Sequence, residues 1–227
     1  MERIPMKETK ISNAKAVWGW CLYDFANSPF TTVVVTFVFA SYFARVVAGD
    51  EIQGSVIWSR GITVCAVVIA LLSPLMGAIA DRGGYRKIFL FSMTLLCVIG
   101  SVQLYWVMPG QIMKGLVWFI IANIAYEMGC VFYNAFLPDI AGPERIGRIS
   151  GYGWAMGYVG GLLSLVLALF ALVQPETPWF GFSKENYENL RATNLMVALW
   201  FAVFCIPTLL WVREDRSRVE PGTGNII

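Results

Sequence analysis

Six long apolar stretches run through the 227-residue chain, and shorter polar stretches separate them. A helix needs about 20 mostly apolar residues to cross the hydrocarbon core of a bilayer, and each stretch is long enough. The six predicted segments are residues 16–47, 54–80, 87–108, 113–138, 148–173 and 192–212. The pattern predicts an all-α integral membrane protein with an N-terminus (1–15), a six-helix transmembrane domain (16–212) and a C-terminal tail (213–227).

Polar side chains interrupt the apolar pattern on one face of segment 1. Four of them follow the spacing i, i+3, i+4 and i+7, namely Asp24, Asn27, Ser28 and Thr31. This spacing places them on one side of a helix. Lipid cannot solvate such a stripe, so we expect it to face protein or a water-filled cavity. Pro29 cannot donate a backbone hydrogen bond, and it predicts a local bend.

Segment 4 carries a second polar face of the same kind. Its members lie at i, i+4, i+7 and i+11, namely Asn123, Glu127, Cys130 and Asn134. In segment 2, Arg60 and Thr63 share a face in the half of the helix predicted to lie on the outer side. Segments 3 and 6 carry hardly any strongly polar group and are expected to face lipid. The sequence thus predicts polar faces directed towards protein or a water-filled cavity on segments 1 and 4, and partly on segment 2.

An intramembrane polar group can also be a static hydrogen-bonding partner between helices. For a lone Asn or Ser, that packing role is the favoured interpretation. For a charged group the balance shifts towards function, because insertion at the helix centre costs about 2.5–3.5 kcal/mol. Asp24 and Glu127 therefore become the candidate functional groups. Segment 5 carries Gly153, Gly157 and Gly161 at intervals of four, which predicts close packing against another helix.

Composition and charge narrow the class of protein. Hydrophobic residues make up 57% of the chain and charged residues 14%, well below the roughly 25% charged residues of soluble domains. The net charge of +2 and the absence of histidine give no reason to expect a nucleic-acid partner, a metal site or a cofactor. Neither a metal cluster nor a nucleophile–base pair is spaced convincingly for an intramembrane enzyme.

The basic residues are distributed unevenly between the two sides of the membrane. Most of the 17 lysines and arginines fall in the N-terminus, the loops 2–3 and 4–5, and the C-terminal tail. By the positive-inside rule, both termini are expected to face the cytoplasm, in a bacterial-type inner or plasma membrane. The first residues do not read as a removable signal peptide. In the external connection 174–193, residues 183–191 predict a short surface helix capped by Ser183.

The loop between segments 2 and 3 reads GAIADRGGYRKIFL, residues 77–90. It resembles the cytoplasmic signature of the major facilitator superfamily, and the matching positions are Gly77, Asp81, Arg82, Gly84, Arg86 and Lys87. Tyr85 stands where a basic residue is usual. Together with YDFANSPF (23–30) and the stretch 134–161, the loop resembles the vacuole-effluxer-like branch, related to an autophagy-linked amino-acid exporter.

That resemblance implies a secondary transporter that works by alternating access. In this fold helices 1, 2, 4 and 5 of each half surround the cavity, and each half is a 3+3 inverted repeat. The superfamily normally has twelve helices, whereas six are predicted here, which is one half. We therefore expect either a homodimer of six-helix halves or the N-terminal half of a longer transporter.

The resemblance also suggests roles for the candidate residues. The expected cargo is an amino acid or a similar small polar solute. A zwitterion would place its ammonium at Asp24 or Glu127 and its carboxylate at Arg60, and Glu127, then Asp24, are the candidates for proton coupling. The loop motif is expected to form a cytoplasmic gate with Asp139, Glu144 or helix ends. A membrane subunit without transport activity is the alternative.

Overall fold

The computed structural model describes residues 14–214, and residues 80–83 by their backbone alone. Six helices in this range are long and apolar enough to cross a membrane. They are α1 (Ala14–Val47), α2 (Glu51–Ile79), α3 (Arg86–Tyr105), α4 (Ile112–Ile140), α5 (Ile146–Val173) and α6 (Glu185–Trp211). No strand occurs among the described residues. Each predicted segment corresponds to one of these helices, so the predicted all-α membrane architecture is confirmed.

Helix α1 changes its winding along its length. It is α-helical over Ala14–Pro29, π-helical over Phe30–Phe37, α-helical over Val38–Tyr42 and π-helical again over Phe43–Val47. The first π-helical stretch begins directly after Pro29, whose ring removes a donor from the ladder of backbone hydrogen bonds. The irregularity predicted at this proline is therefore a change of helical winding.

The start of α6 differs from the sequence prediction. Its α-helical part begins at Glu188, four residues before the predicted boundary at 192, and a 3-10 turn over Glu185–Tyr187 precedes it. The Ser183 hydroxyl accepts a hydrogen bond from the Glu185 N–H at 2.9 Å. The predicted surface helix is therefore the first turn of α6. Arg191, which we expected in the external connection, is buried and donates to the Tyr105 carbonyl at 3.0 Å.

The helix pairs show how six segments form one bundle. α1 packs against α5 and α6, α4 packs against α2 and α3, and α3 packs against α6. If α1, α2 and α3 are matched with α4, α5 and α6, the pair α1–α5 corresponds to α4–α2, and α1–α6 corresponds to α4–α3. This pairing agrees with a 3+3 repeat.

Burial is greatest at the centre of the bundle. In the most apolar 18-residue stretch of α1 half of the residues are buried, whereas in that of α2 only 6% are buried. In the corresponding stretches of α3 and α6, 33% and 39% of the residues are buried. The helices expected to face lipid are therefore not the most exposed. The reason is that α2 packs mainly against α4 and against Phe43–Val47 at the end of α1, which leaves most of its surface uncovered.

Candidate functional site

The two polar faces predicted on α1 and α4 meet inside the bundle. Asp24 and Glu127 are both half-buried, and both carboxyl groups are electrostatic neighbours of the Cys130 thiol and the Tyr126 hydroxyl. Asn27 is buried, with its Nδ2 atom 3.6 Å from Cys130 Sγ. The contact of Asn27 with Cys130 therefore joins the two polar faces, and both carboxyl groups lie within electrostatic range of this thiol.

The glycines of α5 lie against the same face of α1. A Cβ atom added at Gly153 would lie 3.0 Å from Asp24 Oδ2, and one at Gly157 would lie 2.8 Å from Ser28 Oγ. At Gly161 the corresponding distance is 2.7 Å to the Thr32 hydroxyl. Larger residues would separate the helices, so the absence of side chains lets α5 pack directly on the polar face of α1.

Tyr133 on α4 completes the surroundings of Asp24. Its ring stacks on Trp20 with centroids 4.4 Å apart and on Tyr23 at 4.9 Å, and Trp20 Nε1 donates to the Tyr133 carbonyl at 3.0 Å. The Tyr133 hydroxyl neighbours the Asp24 carboxyl. This hydroxyl is buried, and the Asp24 carboxyl beside it is its hydrogen-bonding neighbour, in a geometry looser than that of a standard hydrogen bond.

Sequence analysis missed Tyr126 and Tyr133 as members of this site. A signal was present, because Tyr126, Cys130 and Tyr133 follow the spacing i, i+4 and i+7 and so share one face of α4. Aromatic residues on an apolar helix are usually part of the core, and the rings of both tyrosines do pack there, Tyr126 against Phe30 with centroids 5.3 Å apart. Only the hydroxyl groups distinguish them as site residues.

The remaining candidate residues occupy different environments. Asn123 is buried and interacts with the Cys65 thiol of α2, which also neighbours Glu127. Thr31 is half-buried, and its hydroxyl donates to the Ser28 carbonyl at 2.9 Å. Arg60 and Asn134 are exposed. Within the described part of the chain, Arg60 forms no ion pair, so the structure does not join it to either carboxyl group.

A second group of charged residues lies where α2 ends and α3 begins. Arg86 Nη1 lies 3.0 Å from Asp139 Oδ2, and the Arg86 backbone N–H donates to Glu214 Oε1 at 2.8 Å. These three side chains are 8%, 3% and 8% exposed, in the order Arg86, Asp139, Glu214. Arg86 also donates to the Ala135 carbonyl at 2.9 Å. We call Arg86, Asp139 and Glu214 the terminal cluster.

The loop motif surrounds this cluster. Gly84 adopts a φ of +63° in the turn between α2 and α3, a conformation that favours glycine. Lys87 donates to the Val212 carbonyl at 3.0 Å, whereas Gly77 has open space around it and Glu144 is exposed. The side chains of Asp81 and Arg82 lie outside the described residues. Sequence analysis did not include Glu214, which lies in the predicted tail and carried no motif.

Comparison with known proteins shows which family the chain belongs to. A family profile described as "Vacuole effluxer Atg22 like" matches residues 46–227. An uncharacterized MFS-type transporter, YxiO of Bacillus subtilis, is 27% identical over 201 residues, which is 86% of this chain and 46% of that protein. Autophagy-related protein 22 of Coccidioides immitis is 22% identical over 78% of this chain and 37% of its own length. The chain thus spans less than half the length of these curated relatives.

Solved structures share the fold of the bundle. The proton:xylose symporter XylE bound to 6-bromo-6-deoxy-D-glucose superimposes with a TM-score of 0.67 at 14% identity, over 88% of this chain and 44% of that one. The inward-open xylose transporter XylE from E. coli gives a TM-score of 0.67 at 15% identity, over 88% and 48%. The six helices therefore have the fold of one half of a major facilitator protein, and by its profile match the chain belongs to the Atg22-like vacuole effluxer family.

Proposed function

We propose that this chain supplies half of a secondary active transporter that moves a small polar solute by alternating access. One observation carries the proposal: the faces of α1 and α4 that bear Asp24 and Glu127 meet at the contact of Asn27 with Cys130, and neither carboxyl group forms an ion pair in the described part of the chain. Buried charges that only hold a fold together are paired. Carboxyl groups without a basic partner are suited to accept a proton or the ammonium group of a cargo.

The cargo that fits this site best is an amino acid or a similar metabolite with a positively charged group. The Asp24 carboxyl and the Tyr133 hydroxyl would contact the ammonium group from one side, and Glu127 from the other. Arg60 belongs to the same helix as Cys65, which neighbours Glu127. When a second six-helix body packs against α2, Arg60 would be the candidate to bind the carboxylate group of the cargo. Family membership and the relative named a transporter support the proposal.

A second six-helix body would close the cavity. Most residues of α2 are exposed, and α5 exposes large apolar side chains, among them Trp154, Tyr158 and Leu162 at 64%, 72% and 63%. A lipid-facing surface would also be apolar, but these two helices flank the carboxyl groups. The proposed partner is a second copy of this chain, which would form a twofold homodimer, or a further six-helix half like those of the relatives.

The terminal cluster would act as the gate between inward-open and outward-open states. A gate needs contacts that differ between the two states. The Arg86–Asp139 pair links the start of α3 to the end of α4, and Asp81 and Arg82 would add contacts to a second body. With both termini in the cytoplasm, this gate would close the cytoplasmic side.

Reconstituted transport tests the proposal. Purified protein in proteoliposomes containing a pH-sensitive dye receives a mixture of amino acids, and proton flux and the uptake of each amino acid are measured. We expect Glu127→Gln to abolish the solute-driven proton flux. Glu176→Gln provides the matched control, because Glu176 is exposed in the α5–α6 connection. Undiminished proton flux in Glu127→Gln would remove Glu127 from proton coupling.

A membrane subunit without transport activity remains the second candidate function. It predicts that the faces around Asp24 are sealed from water in the assembled protein. Single cysteines at positions 27, 31, 123 and 134 on a cysteine-free background would distinguish the two functions. Labelling of positions 27 and 123 by a membrane-impermeant maleimide supports a hydrated cavity, and complete protection of both supports the subunit.

A further inference from the structure

A groove on the outside of the bundle lies far from the helix faces that carry Asp24 and Glu127. It has a volume of about 530 Å³ and is lined by Lys87, Ile88, Phe91, Leu209, Arg213 and Glu214. These residues belong to the start of α3 and the end of α6, which pack against each other. The groove therefore opens where two adjacent helices reach the same surface of the membrane.

The mouth of this groove is positively charged. Lys87 is held there by its hydrogen bond to the Val212 carbonyl at 3.0 Å. Arg213 is exposed, and its side chain forms no ion pair within the described residues. The acidic member, Glu214, is only 8% exposed and accepts the Arg86 backbone N–H, so its carboxylate is turned inward, towards an arginine that also pairs with Asp139. Two cations thus face outward at the rim.

Below the rim, apolar side chains continue along both helices. On α3 the exposed residues Ile88, Phe91, Leu95 and Ile99 continue from the groove lining, and on α6 the exposed residues Ala202 and Ile206 lie at helical spacing from the groove-lining Leu209. Each set follows helical spacing and so forms one stripe. From Ile88 to Ile99 the stripe extends about 16 Å at 1.5 Å per residue. This length is close to half of the roughly 30 Å hydrocarbon core, which is the depth of one leaflet.

We propose that this groove binds one anionic phospholipid, with its phosphate at Lys87 and Arg213 and its acyl chains along the two stripes. Basic groups at the surface of a membrane attract anionic head groups and act over a short range. A charged rim above an apolar stripe one leaflet deep complements such a lipid at both ends. A zwitterionic lipid would meet the same apolar stripe but would gain less from the two cations.

Native mass spectrometry of the full chain tests this site. The protein in a neutral detergent is titrated with dioleoylphosphatidylglycerol and, separately, with dioleoylphosphatidylcholine, which has identical acyl chains. We expect one phosphatidylglycerol to bind each chain in preference to phosphatidylcholine. The double variant Lys87→Gln/Arg213→Gln should weaken phosphatidylglycerol binding about 25-fold, since each basic residue near the surface contributes about fivefold. Its phosphatidylcholine binding should fall by much less.

Matched variants decide the interpretation. Arg145→Gln/Arg148→Gln removes two exposed basic residues from the α4–α5 connection and start of α5, and it should retain wild-type preference for phosphatidylglycerol. If loss of the Lys87 hydrogen bond prevents folding, Arg213→Gln alone should weaken binding about fivefold, and Arg213→Lys should restore it. Equal binding of both lipids, equal losses in the two double variants, or displacement of the lipid by soluble glycerol 3-phosphate would overturn the proposal.

Discussion

Two groups of carboxylates in this molecule have opposite surroundings. In the terminal cluster, Asp139 and Glu214 are almost fully buried and both contact Arg86. At the centre of the bundle, Asp24 and Glu127 remain half-buried beside a thiol and tyrosine hydroxyls, and no arginine or lysine pairs with them in the described structure. The comparison separates carboxylates whose charge the fold itself balances from carboxylates whose charge something else must balance. We therefore expect the first group to contribute to stability in addition to its proposed role as a gate, and the second group to contribute to transport without stabilising the fold.

Arg86→Met should have the largest effect on stability. Removing the guanidinium takes the positive charge away from Asp139 and Glu214, and breaking a buried pair costs about 3–5 kcal/mol. The free energy of unfolding in mixed detergent and denaturant measures this loss. Arg145→Met, at an exposed arginine, is the control and should unfold like the wild type. A similar stability for both variants would remove the distinction between paired and unpaired carboxylates.

Asp24→Asn should show the reverse pattern. Since no described basic side chain pairs with Asp24, loss of its charge leaves no cation unbalanced, and the stability should equal or exceed that of the wild type. Transport in proteoliposomes should fall at least about tenfold, which corresponds to about 1.4 kcal/mol of lost interaction with the cargo or proton. A variant that transports normally but unfolds more easily would show that Asp24 is a structural group.

The hydroxyl groups of two stacked tyrosines, Tyr23 and Tyr133, allow a finer test of this comparison. Tyr23 shares a hydrogen bond of 2.8 Å with Thr94, so Tyr23→Phe should lower stability by about 1 kcal/mol and leave transport unchanged. The Tyr133 hydroxyl interacts instead with the Asp24 carboxyl, which is the proposed binding group for the cargo. Tyr133→Phe should therefore reduce the affinity for cargo, measured as a raised KM, by more than it lowers stability. If both variants lose only stability, the Tyr133 hydroxyl has no role in binding.

The smallest effect is expected at a third kind of charged pair. Arg45 and Glu51 lie 2.8 Å apart where α1 ends and α2 begins, but their side chains are 64% and 62% exposed. Exposed pairs contribute about 0.2–1 kcal/mol, so Glu51→Gln should barely change either unfolding or transport. A loss as large as that of Arg86→Met would mean that burial does not determine the worth of an ion pair here.

The secondary structure could be predicted from the sequence because the bilayer sets a length that apolar stretches must meet. The Asp24 and Glu127 faces were visible because charge on an apolar helix has few explanations. The start of α6 was missed for a related reason: Arg191 and Asn189 are polar, and a hydropathy pattern assigns them to a loop. In the structure Asn189 donates to the Leu172 carbonyl at 3.0 Å, and both side chains are buried.

The contacts between helices at the candidate site could not be predicted from the sequence. The meeting of the two polar faces at Cys130, the Tyr133 hydroxyl beside Asp24 and the contact of Glu214 with Arg86 depend on helix rotation and crossing. Helical spacing places residues on a face but does not specify which other helix that face meets. The large uncovered surface of α2 is also a property of the assembled bundle, since its sequence is as apolar as those of its neighbours.

The glycines of α5 bring this helix close to α1 beside Asp24. A Cβ at Gly160 would collide with the Phe25 carbonyl oxygen, so the backbones of α1 and α5 approach each other closely. Against α4, α1 is joined through the stacked rings of Trp20, Tyr23 and Tyr133. Asp24 thus lies between two kinds of interface, one in which any added side chain would force two backbones apart and one in which side chains already fill the space.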